Sequence, residues 1–173
     1  MSPTIVTHSG KYFNFLEPIP DMICIEDIAH ALSHLCRFTG HTAQFYSVAQ
    51  HSVLVSEILP PNLQLAGLLH DATEAYIGDV SRPLKMLLPQ YREIEHRVWL
   101  AIAAKFDLPV DLPKPIKDAD NTLLLTEKRD LLAYSRHGEF WEWAKDINPL
   151  PSTIQRWPSW MAKKVFLERF HAL

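Results

Sequence analysis

The chain has 173 residues, 47% of them hydrophobic and 21% charged, with a formal net charge of −3. That length suits one domain, residues 1–173, with a sizeable core, and the weak negative balance gives no electrostatic footprint for duplex nucleic acid. No run approaches the roughly 18 apolar residues of a membrane span, and the first residues lack the charged start and apolar stretch of a secretory signal; the expectation is a cytoplasmic protein whose two cysteines, Cys24 and Cys36, stay reduced.

Residues 4 to 15 place β-branched and aromatic side chains on both sides of Gly10, which predicts a short hairpin. Ile25, Ile28, Ala29, Leu32 and Leu35 then recur at helical spacing behind Glu26 and Asp27, so a helix is expected to end near Gly40. Ser47-Val48-Ala49-Gln50 has the form of a capping box opening a helix to about Leu59, where Pro60 and Pro61 stop it. Asn62 is expected to cap one continuous helix over Leu63 to Tyr76. Asp79 to Pro83 reads as a loop, Tyr91 to Ile102 as an amphipathic helix ended before Pro109, and Ile116 to Tyr134 as a longer one. Four of the five tryptophans fall between Phe140 and Trp160, which suggests an ordered loop laid on the core or an oligomer contact. Ser159 is expected to cap a last helix. The whole is read as an all-α helical bundle.

The stretch that stands out is Leu68-Leu69-His70-Asp71-Ala72-Thr73-Glu74, where an apolar run leads straight into a histidine and two acids. Groups that resist low dielectric need partners when buried, and a divalent ion is one that both imidazole and carboxylate can ligate. Adjacency of His70 and Asp71 alone also suits a helix end facing water. Two further polar groups lie among apolar neighbours: His51 beside Ser52 and Val55, and Asp120 between Ile116, Ala119 and Leu123. Singly, His51 reads as a hydrogen-bonded core histidine and Asp120 as a surface acid; together they offer four ligands from three helices, as metal sites in bundles do.

The order His51, then His70-Asp71, then a distant Asp120, with the words Tyr46-Ser47-Val48-Ala49-Gln50-His51-Ser52 and Leu69-His70-Asp71-Ala72-Thr73-Glu74-Ala75, resembles the HD-domain metal-dependent phosphohydrolases. Within them it is most similar to small bacterial 5'-deoxynucleotidases and their prophage and phage relatives, some of which are dATP triphosphohydrolases. The resemblance covers about Ile25 to Tyr134 and again Phe166 to Phe170. It implies an HD-domain helical fold with His51, His70, Asp71 and Asp120 as ligands of a divalent ion (Zn, Co or Mn, with Mg a further candidate). Glu74 would position or activate the attacking water, and Asp79 would be a second acid near sugar and water. Arg37 would contact the nucleotide, Phe38 the base, and Lys85 and Lys117 the phosphates. It further implies a deoxynucleotide substrate, adenine favoured, and a homo-oligomer, dimer or hexamer, in a bacterium or a phage-infected host. Arg37-Phe38-Thr39-Gly40 departs from relatives that carry tryptophan after this arginine, although phenylalanine can still stack on a base.

These roles agree with elementary chemistry: a divalent ion polarises a phosphoryl oxygen and lowers the pKa of water towards about 7, while Arg and Lys offset phosphate charge. Read alone, Arg37, Lys85 and Lys117 are ordinary solvated charges. A rival enzyme reading takes His30-Ala31-Leu32-Ser33-His34 as a zinc chelate, but it lacks the glutamate of HExxH. A non-enzymatic reading keeps the HD fold as a nucleotide-sensing or interaction module.

Overall fold

The computed structural model describes residues 2–133 and 138–173, with nothing said of the side chains of 138–140. The expected helix end at Tyr134 therefore lies outside the described residues, as does the side chain of Phe140.

The hairpin forms as expected. Strands β1 (Thr4–Val6) and β2 (Tyr12–Asn14) pair antiparallel with Ile5 opposite Phe13, and Gly10 takes the left-handed φ of 84° that their connection requires. The hairpin docks by two contacts of different kinds. Phe13 is fully buried and stacks on Tyr76 with centroids 4.1 Å apart, while Ser9 donates from N and Oγ to Asp27 at 2.6 and 2.7 Å.

Helix α1 (Ile25–His34) starts behind its two acids but stops six residues short of Gly40. The cause is non-local: Leu35 and Cys36 turn extended, Cys36 bridges to Ser47, and the Val48 and Arg37 amides donate to the carbonyls of Leu35 and Tyr46. A tight turn over Arg37–Gly40 follows, with Phe38 and Thr39 left-handed at φ 55° and 54°.

Helix α2 (Val48–Glu57) is the centre of the molecule, eight of its ten residues being buried. Ser47 caps it, accepting from the Gln50 amide at 3.1 Å. The reciprocal half of the capping box does not form. The Gln50 side chain reaches away to the C-terminal segment, donating to the Gln155 carbonyl at 2.7 Å and accepting from the Trp157 amide at 2.9 Å, because those backbone groups offer no other partner in that segment's irregular path.

The helix expected over Leu63 to Tyr76 is broken in two, α3 (Gln64–Leu68) and α4 (Glu74–Ile77), and Asn62 caps neither. It enters through a tight turn at Pro61–Leu63. A short helix α5 (Arg82–Lys85) begins inside the expected loop and runs two residues beyond it. Helices α6 (Pro89–Phe106) and α7 (Lys114–Leu131) form where the periodicity predicts, but α7 stops three residues short of Tyr134 because Leu132 turns extended. Helix α8 (Ser159–Ala172) begins with Ser159 already inside it, since the extended Pro158 supplies the carbonyl for Met161 and Ala162, so Ser159 caps nothing.

The architecture is mostly helical with one small sheet. The main core gathers Phe13, Ile28, Leu32, Val53, Leu68, Ile102 and Phe166; a second cluster of Val55, Leu59, Ala66, Ile116 and Leu123 fills the space between α2, α3 and α7. No helix among the described residues is long and apolar enough to cross a membrane.

Gln50 is 1% exposed, so Gln50→Ala removes the side-chain partner of the Gln155 carbonyl and the Trp157 amide, both part-buried hydrogen bonds. The expected cost is about 1–3 kcal/mol, read as a lower midpoint in urea denaturation; an unchanged midpoint would show that the 155–157 segment is held elsewhere.

Candidate metal centre and cleft

Three elements bring the site together: α2 carries His51, α7 carries Asp120, and the break between α3 and α4 carries His70 and Asp71. At the break Leu69 departs from helical geometry (φ −103°, ψ 6°), and the amides of Ala72, Glu74 and Tyr76 bond three residues back, to Leu69, Asp71 and Thr73. The His70 Nδ1 lies 2.8 Å from the Gly67 carbonyl. A carbonyl can only accept, so Nδ1 carries the proton and Nε2 presents a lone pair. His51 is fixed the same way, with Nδ1 2.6 Å from Glu127 Oε1.

Both Nε2 atoms are buried with no hydrogen-bond partner. His51 Nε2 stands 3.3 Å from Asp120 Oδ1 and 3.6 Å from Asp71 Oδ2, and His70 Nε2 stands 3.2 Å from Asp71 Oδ2. His51, His70 and Asp120 each offer one ligand atom within 4.8 Å of one another. Two unpartnered Nε2 atoms face a space rimmed by carboxylate oxygens; the acids favour a cation there, as a proton on His51 or as a divalent ion on neutral imidazoles, so these residues form a group that could hold a metal ion.

Glu127, which sequence reasoning missed, is the hidden member. It is fully buried, holds His51 through Oε1, and accepts from Arg37 Nε and Nη2 at 3.1 and 3.0 Å through Oε2. Burial pushes the Glu127 carboxyl up, but Arg37 and His51 reverse this and hold it below its ordinary value. Burial and Arg37 press the His51 imidazolium down, and Glu127 and Asp120 outweigh them, raising it to about 9. Asp71 and Asp120 are likewise driven well down despite burial, Asp71 by the neighbouring His70 first and Asp120 by the neighbouring His51 first. The site is thus built around positive charge.

Above these groups opens a cleft of about 930 Å³. Eight of the ten residues singled out from the sequence line it: Arg37, Phe38, Asp71, Glu74, Asp79, Lys85, Lys117 and Asp120; His51 and His70 lie beneath. Arg37 faces Asp71 at 3.6 Å with its remaining nitrogen. Lys85 donates to Glu95 at 2.7 Å and lies 3.8 Å from Glu74 Oε1, and Lys117 pairs with Asp120. Glu74 is 6% exposed with Oε2 unpartnered, and burial, then Asp71 and Asp79, raise its carboxyl well above the ordinary range. Burial also raises Asp79, which follows the left-handed Gly78. Among the described residues His30 and His34 belong to no group of three or more side chains that could hold a metal ion; the His30 ring instead stacks on His8 with centroids 3.6 Å apart.

The sequence also missed Arg82, Trp141 and Trp143, which complete the cleft. The tryptophan density signalled the two indoles only. The segment read as a loop on the core does pack there through Ala144 and Trp157, and Trp141 and Trp143 in addition form a wall of the cleft, with Lys128 4.4 Å from the Trp141 ring. Glu127 had a signal, seven residues after Asp120 on the stripe of Ile116, Leu123 and Leu131 that faces the core.

No protein-family model matches the chain. It is 43% identical over 171 residues to the uncharacterized protein YfdR of Escherichia coli, covering 98% of this chain and 94% of that protein. It is 42% identical over 121 residues to an uncharacterized protein of Rhodobacter capsulatus, covering 64% and 62%.

Glu127→Gln removes the charge that orients His51 and answers Arg37. Metal affinity is expected to fall about 10- to 100-fold, measured by titration against a competing chelator; wild-type affinity would remove Glu127 from the metal centre.

Proposed function

We propose that this chain, which belongs to the same family as YfdR of Escherichia coli, is a metal-dependent phosphohydrolase of deoxyribonucleotides with the HD-domain helical fold. The observation that carries the reading is the convergence of two orphaned imidazole Nε2 atoms with Asp71 and Asp120 beneath a cleft that holds a buried, unpartnered glutamate and several cations. His51, His70 and Asp120 would hold the ion, with Asp71 as fourth ligand. Imidazole donors favour Zn, Co or Mn over Mg. The ion supplies Lewis acidity toward the phosphoryl oxygen.

The chain's own side chains supply the rest. Water attacks phosphorus, its proton passes to Glu74 Oε2, and the phosphorus–oxygen bond on the opposite side breaks with its electron pair leaving on oxygen. Burial and the neighbouring Asp71 and Asp79 raise the affinity of Glu74 for a proton, the direction a general base requires. Lys85 and Lys117 offset the phosphate charge, Asp79 stands beside sugar and water, and Arg37 supports the nucleotide while holding Glu127 and Asp71. Phe38 offers a face to the base. Resemblance adds adenine as the favoured base, with dATP or a deoxynucleoside monophosphate as substrate, and a homo-oligomer. For the oligomer Trp160 of α8, 68% exposed, is the anchor.

Incubation with each dNTP and dNMP plus Mn²⁺, Co²⁺ or Zn²⁺, with products separated by chromatography, is expected to give deoxynucleoside with phosphate or with triphosphate. Binding of metal and nucleotide without turnover would instead support a sensing module. Glu74→Gln is expected to keep metal and nucleotide binding while losing about 10² to 10⁴ in single-turnover rate; loss of metal would move Glu74 into the ligand shell, and near wild-type turnover would remove it from the mechanism. Light scattering is expected to report more than one copy at micromolar concentration, and a monomer would sink the oligomer.

A further inference from the structure

The cleft joins two kinds of lining. Three cations accompany its acids, Arg37 at 3.6 Å from Asp71, Lys85 at 3.8 Å from Glu74 and Lys117 paired with Asp120; Arg82 and two indoles, Trp141 and Trp143, from the short turn Gly138–Ala144, line the same cleft. Trp143 is 51% exposed. An aromatic surface of that size left wet inside a concavity is apolar area awaiting an occupant. Cations hold the two rings: Lys128 Nζ lies 4.4 Å from the Trp141 centroid, and Arg82 Cζ 5.9 Å from that of Trp143. A cation over one face of an indole fixes the ring without covering its other face.

A ligand matching both linings carries an anion for those cations and a flat aromatic body for the indoles. Resting on the nucleotide reading above, we propose that Trp141 and Trp143 form the base-binding wall of this cleft, so that it takes a nucleotide in preference to a sugar phosphate of equal charge. A phosphate ester without a base would satisfy the cations and leave the indoles wet. Stacking is tolerant of base identity because every base has a π-face, so this wall selects for the presence of a base and leaves the choice among bases to groups at its edges.

The test uses the full chain with Glu74→Gln to prevent turnover, loaded with Mn²⁺, and compares dAMP with 2-deoxyribose 5-phosphate by calorimetry. Trp141→Ala or Trp143→Ala is expected to weaken dAMP about 5- to 150-fold, the range of one lost stacking contact, and to leave the sugar phosphate within about twofold. Trp143→Phe should retain most of the dAMP affinity, while Trp143→Leu, which keeps apolar bulk without a π-face, should lose it. In the active chain the loss should appear in KM more than in kcat. Equal weakening of both ligands, or no weakening of dAMP, would overturn the wall while leaving the nucleotide reading standing. Failure of the parent protein to bind dAMP or any dNTP would overturn both.

Discussion

A carboxylate with no exposed surface sits at the centre of this protein, and the arrangement around it follows from the need to compensate it. Left alone, Glu127 would cost several kcal/mol to bury in charged form. Arg37 grips one oxygen through two nitrogens and His51 takes the other, so a turn after α1, the central helix α2 and the long helix α7 are locked at one point. The left-handed Phe38 and Thr39 are uncommon conformations for such residues. They persist because the pairing of Cys36 with Ser47 and the grip of Arg37 on Glu127 fix the chain on both sides. One result is that Phe38 stands in the cleft wall.

The local signals were legible in the sequence. Hairpin, helix starts and long amphipathic helices depend on neighbours a few residues away, and so did the pattern of His51, His70, Asp71 and Asp120 as polar groups set in apolar surroundings. What could not be read depends on pairings across the chain. α1 ends at His34 because Leu35 and Cys36 find partners some dozen residues on, and Gln50 abandons its capping role because Gln155 and Trp157 arrive beside it. Ser159 lost its capping role to a neighbour one residue earlier, since proline can hold the extended backbone a cap needs. Trp141 and Trp143 could be seen as a concentration of aromatic residues, but their place in the cleft required knowing where the chain returns.

Glu127 marks the boundary between the two kinds of information. Its position two turns beyond Asp120 put it on the buried stripe of α7, which the sequence does display. Its task was invisible, because the partner histidine comes 76 residues earlier. A buried acid on a helix that also bears a candidate metal ligand has two economical fates, ligand or support, and only the distance to the first imidazole's far nitrogen tells them apart.

The break at Leu69 shows why a smooth helix would not serve. Along a regular helix successive residues point about 100° apart, so His70 and Asp71 could not both face one point, whereas the observed turn brings Asp71 Oδ2 to 3.2 Å from His70 Nε2. The turn depends on the His70 Nδ1 reaching back to the Gly67 carbonyl, and that carbonyl is where it is because α3 lies against the end of α2. A Cβ on Gly67 would fall 2.2 Å from Leu59 Cδ1 but an ordinary 3.6 Å from Ser56 Cα, so the Leu59 side chain packs into the space that a side chain at Gly67 would take. The Gly67 carbonyl, held by His70 Nδ1, helps set the bearing of His70 on His51, whose ring centroids are 5.3 Å apart.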